Sequence, residues 1–324
     1  MRKLPPFARF AWGVLVYNLA VVAWGAFVRA TGSGAGCGAH WPLCNGTVVP
    51  RDAQTATLIE FAHRASSGVA LLLVVAMLIW ALRAYPAGHT VRTGAKYSMG
   101  LMLLEALLGA GLVLFELVAH NASLTRAFSM AAHLANTFLL LGALTLTAWW
   151  GSGGAPVAVR GRRSTATLAG AALGGVLLVG ISGAIAALGD TLYAGGRVAE
   201  GVSPEGARIV ELLIELRLLH PALAVLVAAL VLVITRALYQ GHRSTAVRRL
   251  APLASVLVLA QLGLGWLNVA LLAPVWMQLV HLLAADLVWI SLVLLAAAAL
   301  GRDASDDEPR NAADGSAERS LARA

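Results

Sequence analysis

Eight long apolar runs constrain this chain more than any other feature of its sequence. They fall near residues 10–28, 58–82, 97–118, 127–150, 166–188, 209–235, 251–272 and 275–300. Each is near or above the roughly 20 residues that a helix needs to cross a bilayer. Of the 324 residues, 59% are hydrophobic and only 12% are charged, which excludes a disordered chain or an ordinary soluble enzyme. The sequence predicts an all-α polytopic membrane protein.

The distribution of basic residues predicts the orientation in the membrane. Basic residues without acids precede the first run and fill every second connection: Arg2, Lys3, Arg9, Arg83, Arg92, Lys96, Arg160, Arg162, Arg163, Arg236, Arg243, Arg248 and Arg249. By the positive-inside rule, both termini are cytoplasmic and the protein lies in the cell (inner) membrane. The net charge of +8 is therefore a topology signal, and no nucleic-acid partner is expected.

The second half of the chain repeats the first. "EFAHRASSGVALLLVV" in the second run is similar to "ELRLLHPALAVLVAAL" in the sixth, and "MAAHLANTFLLLGAL" in the fourth is similar to "QLVHLLAADLVWISL" in the eighth. An even number of spans per copy gives a parallel repeat. We predict tandem four-helix bundles over residues 1–155 and 156–300, followed by a disordered cytoplasmic tail at 301–324.

Four of the eight histidines lie inside spans: His63, His133, His220 and His281. Ionisable groups in a membrane span are costly and usually functional. Each lies toward the outer end of an even-numbered span, so the first two can meet at one depth, as can the last two. Imidazoles that face each other across a bundle can ligate haem. The alternative is interhelical hydrogen bonding; no third ligand accompanies both pairs, which disfavours zinc or copper.

Charged residues close to these histidines are further candidates. Arg29, Arg64 and Arg217 lie near the outer face, where they can pair with haem propionates or extend to the membrane interface. Glu60, three residues before His63, lies on the same helix face. It can relay protons at the first site, or pair with Arg64 or headgroup water.

The two halves differ at several of these positions. Aligning the halves places Glu60 opposite Arg217, so only the first bundle offers an acid there. Glu105 in the third span has Gln261 as its repeat equivalent, and it can join a proton path or bond a neighbour; the same choice applies to Asp286. Pro221 directly follows His220 and is expected to kink the sixth span or loosen its hydrogen bonds.

Cys37 and Cys44 are the only cysteines, and both lie on the predicted outer side. In an oxidising compartment such a pair is typical of a disulfide that closes a short loop. The loop length suggests a stabilisation of about 2–3 kcal/mol. The alternative is a redox-active pair next to the first haem site.

Taken together, these motifs resemble the haem A synthase family, the CtaA/COX15-type membrane enzymes, over about residues 10–300. The resemblance rests on "VRATGSG" at 28–34, the "C…WPLC.G" loop at 37–46, "EFAHR" at 60–64, and the later histidines 133, 220 and 281. One departure is the connection at 189–206, which lacks the second cysteine pair that some members carry.

The resemblance implies an activity and a set of roles. Members oxidise a methyl group of haem O to the formyl group of haem A, through a hydroxymethyl intermediate, for assembly of haem-copper terminal oxidases. It implies that His63 and His133 hold the haem O substrate and that His220 and His281 hold a resident haem b. Glu60 matches a glutamate that the family requires, and the two cysteines match its outer-loop pair.

The expected partners are haem O and haem A, the lipid bilayer, a haem O synthase, an electron donor and a second copy of the chain. Two other classes of function remain open at this point. One is a two-haem, quinol-linked electron carrier without haem-modifying chemistry. The other is a transporter with the histidines on its substrate or proton path, although obvious broken helices in paired positions are lacking.

Overall fold

The computed structural model describes residues 4–51, 53–119, 121–193 and 204–301. These residues form α1 Pro6–Ala30, α2 Thr55–Ala84, α3 Thr90–Leu114, α4 Leu124–Gly151, α5 Arg163–Leu192, α6 Pro204–Gly241, α7 Thr245–Ala270 and α8 Val275–Ala299. All eight helices are long and apolar enough to cross a membrane. The prediction of an all-α, multi-pass membrane protein is confirmed. The predicted tail beyond residue 301 and the basic residues at positions 2 and 3 lie outside the described residues.

The helices extend beyond the apolar runs at most ends, and α3 shows why. Its apolar run begins near residue 97, but the helix begins at Thr90. Backbone hydrogen bonding continues through Arg92 and Lys96, and the His89 side chain accepts a hydrogen bond from the Val91 N–H at the helix start. The apolar run marks the part of a helix that suits the bilayer, whereas the cap determines where the helix begins.

The helices pack as two rings of four. In the first ring α1 contacts α2, α2 contacts α3, α3 contacts α4, and α4 returns to α1. Helices α5 to α8 form the second ring in the same order. The rings meet where α1 and α4 contact α8 and where α4 contacts α5. This arrangement is consistent with the predicted tandem repeat, and it places α2 diagonally opposite α4 and α6 diagonally opposite α8.

The ends of α3 and α7 are alike at the level of single hydrogen bonds. The Leu117 N–H donates to the Leu112 carbonyl and the Ala273 N–H donates to the Asn268 carbonyl, each at 2.8 Å. Both turns pass through a non-glycine residue of positive φ, 53° at Glu116 and 60° at Leu272 for example. The third helix of each half therefore ends in the same way.

The interface between the rings is the most buried part of the fold. Helices α4 and α8 bury the largest shares of their apolar segments. Phe138 of α4 stacks on Trp289 of α8 with ring centroids 5.2 Å apart. Large apolar side chains such as Leu226 and Trp266 are instead exposed, as a lipid-facing surface requires. Helix α6 continues through Pro221 as one helix.

Candidate functional site

The structure brings together both predicted pairs of histidines. His63 of α2 and His133 of α4 lie close enough to interact electrostatically, and so do His220 of α6 and His281 of α8. Each pair belongs to diagonal helices of one bundle, α2 with α4 and α6 with α8. Such pairs are the residues that would hold a planar macrocycle inside a bundle.

A glycine on a neighbouring helix lies against each of the four imidazoles. A Cβ added to the glycine would lie 2.8 Å from His63 at Gly25, 3.5 Å from His133 at Gly109, 3.1 Å from His220 at Gly183 and 3.1 Å from His281 at Gly265. These glycines come from α1, α3, α5 and α7, one per helix. The odd-numbered helices thus leave space for the histidines of the even-numbered helices, in both halves.

We predict that Gly183→Ala lowers haem occupancy of the second bundle without lowering stability. The new methyl group forces the His220 imidazole to move, whereas alanine favours a helix over glycine by about 1 kcal/mol. The measurement is haem content per purified chain, together with the thermal unfolding midpoint. Gly174→Ala in the same helix is the matched control, because nothing lies within 4 Å of its added Cβ. Equal haem content in the two variants would contradict the prediction.

His220 has a hydroxyl partner at one of its ring nitrogens. Its Nδ1 lies 2.9 Å from the Ser182 hydroxyl, which itself donates to the Val179 carbonyl at 2.8 Å. In the tautomer with hydrogen on Nδ1, the Ser182 oxygen accepts from Nδ1–H. The lone pair is then on Nε2, the arrangement that a metal-ligating histidine needs.

His133 is held by a carboxylate. Its Nδ1 lies 3.0 Å from Glu105 Oε1. Glu105 also accepts from Asn136 Nδ2 at 2.6 Å and from the Thr137 hydroxyl. Of the two roles left open for Glu105, the structure shows the bond to a neighbour, and that neighbour is a predicted iron ligand. The internal repeat predicts that Glu105 and Gln261 are equivalent positions, but it does not predict the contact of Glu105 with His133.

The equivalent position in the second bundle carries a neutral amide. Gln261 Nε2 donates to the backbone carbonyl of His281 at 3.0 Å and lies 3.4 Å from the imidazole Nε2. The buried Nδ1 of His281 has no hydrogen-bond partner among the described residues, and the same holds for Nδ1 of His63. The four imidazoles therefore have four different environments.

These residues fit haem rather than a bare metal ion. In the described part of the chain, no group of three or more His, Cys, Asp and Glu side chains is placed to hold an ion. Three features suit a flat ligand such as haem. The imidazoles are paired on diagonal helices, the buried Nδ1 atoms of His63 and His281 lack a partner among the described residues, and a glycine lies beside each ring. The residues that would hold haem are His63 with His133 and His220 with His281.

Glu60 connects helix α2 to the outer loop. Its side chain is 3% exposed, and its Oε2 accepts from the Cys37 N–H at 2.8 Å. Its Oε1 accepts from Arg64 Nε at 3.1 Å. The predicted disulfide between Cys37 and Cys44 is present. The expected alternative, a pair with Arg64, is therefore formed, and the loop backbone holds the carboxylate one turn before His63.

The three arginines predicted to bind propionates all have protein partners. Arg64 donates to the loop carbonyls of His40 and Leu43 as well as to Glu60. Arg217 pairs with Asp190 at 2.6 Å. Arg29 crosses from α1 to the other bundle, where its partners are Ala187 O at 2.8 Å, Thr191 Oγ1 at 2.7 Å and Gln278 Oε1 at 2.8 Å. Their role toward propionates stays a prediction.

Two charged residues, Arg126 and Asp286, are buried in the structure. Arg126 is buried and donates to the carbonyls of Ala119 and Asn121 at the start of α4; the sequence offered no sign of its burial. Asp286 is completely buried in α8, and neither of its oxygens has a hydrogen-bond partner in the described ranges. Of the two roles left open for Asp286, the bond to a neighbour is not formed there.

The sequence profile of the cytochrome oxidase assembly proteins, COX15-CtaA, matches residues 8–293. This chain belongs to the COX15-CtaA family. A relative from Thermus thermophilus, named "Protoheme IX farnesyltransferase", is 49% identical over 305 residues. That match covers 93% of this chain and 50% of the relative, so the chain spans about half the length of this relative.

Shorter matches to other proteins agree with membership of the COX15-CtaA family. A "Heme A synthase" of Exiguobacterium sibiricum is 36% identical over 115 residues, which cover 36% of this chain and 38% of the relative. A "Heme A synthase" of Shouchella clausii is 44% identical over 97 residues, which cover 30% of this chain and 32% of the relative. The resemblance stated from the motifs is thus confirmed at the level of the family.

Proposed function

We propose that this COX15-CtaA family member is a haem A synthase, which oxidises a ring methyl group of haem O to the formyl group of haem A. The observation that carries the proposal is the presence of two equivalent histidine pairs on diagonal helices, each imidazole packed against a glycine. Relatives named "Heme A synthase" support the same activity.

The two bundles have different roles in this proposal. The first bundle takes the haem O substrate between His63 and His133, and the second holds a resident haem b between His220 and His281. The differences around the pairs support this division. Acids lie beside the first pair, Glu60 on α2 and Glu105 on α3. An arginine paired with an aspartate and a glutamine amide occupy the equivalent places in the second bundle.

The residues of the first bundle bind, orient and handle protons. Iron in the bound haem supplies the electron chemistry. The imidazoles of His63 and His133 orient the macrocycle, and Glu105 fixes the ring of His133. The burial of Glu60 excludes bulk water from its carboxylate, and the Cys37 N–H and Arg64 hold it in one position. From there Glu60 accepts the protons that the methyl group loses on oxidation.

The orientation in the membrane is part of the proposal. The basic connections α2–α3, α4–α5 and α6–α7 face the cytoplasm, as do both termini. The disulfide loop then lies on the outer side, where disulfides persist. His63 and His133 come within the first three turns of α2 and α4, so the substrate site lies toward that outer face.

The name of the Thermus relatives suggests a second candidate, the transfer of a farnesyl group to protohaem. In those proteins half of the length lies outside the match. The named activity therefore need not belong to the matched half. The same observation favours a protohaem-farnesylating enzyme as a partner of this chain, because such an enzyme supplies a farnesylated haem substrate. A separate electron donor and self-association complete the proposed partners.

Incubation of the purified chain with each candidate substrate separates the candidate functions. The purified full chain is supplied with haem O and a reductant in air, and the haems are extracted and identified by mass. We expect the hydroxymethyl and formyl products, and oxygen-18 in water or in dioxygen identifies the source of the oxygen. Recovery of unchanged haem would overturn the proposal in favour of an electron carrier. Farnesylation of protohaem by farnesyl diphosphate would instead establish the transferase.

A further inference from the structure

The two sites differ most clearly in the group that contacts one histidine of each pair. Glu105 and Gln261 occupy equivalent positions, each four residues before the glycine that lies against the histidine, Gly109 and Gly265 respectively. Glu105 accepts from Nδ1 of His133 at 3.0 Å. Gln261 instead uses its amide group to donate to the His281 backbone. A carboxylate thus contacts Nδ1 of one imidazole, whereas a neutral amide lies 3.4 Å from Nε2 of the other.

The contacts of Glu105 favour its charged form. Two N–H donors, His133 Nδ1 and Asn136 Nδ2, contact its two oxygens. The Thr137 hydroxyl contacts Oε1 and also lies 2.9 Å from the His133 carbonyl. An ionised carboxylate only accepts hydrogen bonds, so both N–H contacts are satisfied without a proton on Glu105. The half-buried surroundings strengthen these bonds relative to bonds in water.

A carboxylate acceptor makes an imidazole a stronger ligand. Partial withdrawal of the Nδ1 proton gives the ring imidazolate character and raises the basicity of Nε2. A more basic axial ligand stabilises ferric iron over ferrous iron, which lowers the reduction potential of the haem. A neutral hydroxyl such as that of Ser182 beside His220, or the amide of Gln261, has a much weaker effect.

Two of the other acids close to the pairs have an arginine partner within the same bundle. Near the first pair, Glu60 is matched by Arg64. Near the second pair, Asp190 is matched by Arg217. Among the residues that the structure describes, the ion-pair partner of Glu105 is His133 rather than an arginine or lysine. The carboxylate of Glu105 is therefore the charge in direct contact with an imidazole of the first pair, and the equivalent position in the second bundle is a neutral amide.

We propose that Glu105 is a positioning residue that gives His133 imidazolate character and holds the first haem at a lower reduction potential than the second. This inference rests on the proposed function in requiring haem at both sites. Under this asymmetry, an electron given up by ferrous iron at the site of His63 and His133 would be taken up favourably by ferric iron at the site of His220 and His281. The residues of the second pair would then hold the immediate electron acceptor of the substrate site.

The test is an anaerobic potentiometric titration of the full chain in detergent, loaded with haem O and haem b and followed by haem absorbance. The native protein is expected to show two waves. Glu105→Gln shifts the lower wave to a more positive potential and leaves the other in place. Gln261→Glu shifts the upper wave to a more negative potential. Glu116→Gln, at an exposed acid of the α3–α4 turn, leaves both waves unchanged.

The outcomes also distinguish this inference from the proposed function. Two waves that neither Glu105→Gln nor Gln261→Glu moves would overturn the inference, even if haem A is formed at the native rate. If Glu105→Gln fails to retain haem, the shift of the upper wave in Gln261→Glu decides the matter by itself. A native chain that binds no haem at all would overturn the proposed function.

Discussion

A His220→Ala variant is expected to lose the resident haem b and keep the ability to bind haem O, whereas His133→Ala shows the reverse. Each substitution removes one of the two imidazoles that the proposed function assigns to one macrocycle, and the other bundle keeps its own pair. Bis-histidine haem depends on both axial ligands, so the affected site loses its low-spin signal. Haem content per chain and the low-spin electron paramagnetic resonance signals measure the effect.

His242→Ala is the control for this pair of variants. His242 follows the last residue of α6, and its Nδ1 lies 3.1 Å from the Leu238 carbonyl, whereas His220 lies near the middle of the helix. Its loss is expected to leave both haems bound. If His133→Ala and His220→Ala each lose both haems, or if each keeps both haems, the division into two independent sites is wrong.

Replacing Glu60 with glutamine is expected to lower haem A formation by about 100-fold or more, the range typical of a lost general acid or base. Both haems stay bound, because the imidazoles are untouched. Glutamine keeps the size of the side chain and can still accept from the Cys37 N–H, so the outer loop stays in place. The measurement is the rate of product formation at equal haem content.

Thr57→Val tests whether Glu60 serves only to hold the loop. The Thr57 hydroxyl donates to the Gly36 carbonyl at 2.7 Å, which is another bond between α2 and the same loop. Valine removes this bond and keeps the shape of the side chain. A proton-handling role predicts near-native activity for Thr57→Val and a large loss for Glu60→Gln. Equal losses in both variants would show that Glu60 acts through loop position alone.

The number of membrane-spanning helices could be predicted from the sequence, because it depends on the bilayer that surrounds the protein. A bilayer demands apolar helices of a minimum length, so the number of spans follows from the apolar runs. The ends were less predictable, as α3 shows, because caps such as His89 extend a helix beyond its apolar part. The internal repeat pointed to two bundles, and the rings of contacts agree with that prediction.

A residue of the candidate site could be predicted only where its position in a span is energetically costly or where it recurs in both halves of the chain. The buried histidines stand out because ionisable groups are rare inside spans. The bond between Glu105 and His133 depends on how α3 and α4 pack, and periodicity does not give that register. The link from Arg29 to α5 and α8 depends on how the two bundles meet. Neither contact has a signal in a single sequence.

Haem stoichiometry with low-temperature electron paramagnetic resonance tests the central claim most directly. The full chain is purified, saturated with haem O and haem b, and freed of excess haem. The account predicts one haem per bundle and two distinct low-spin signals of bis-histidine iron. A chain that retains no haem, or that holds it only as high-spin iron in both His133→Ala and the native protein, would contradict it.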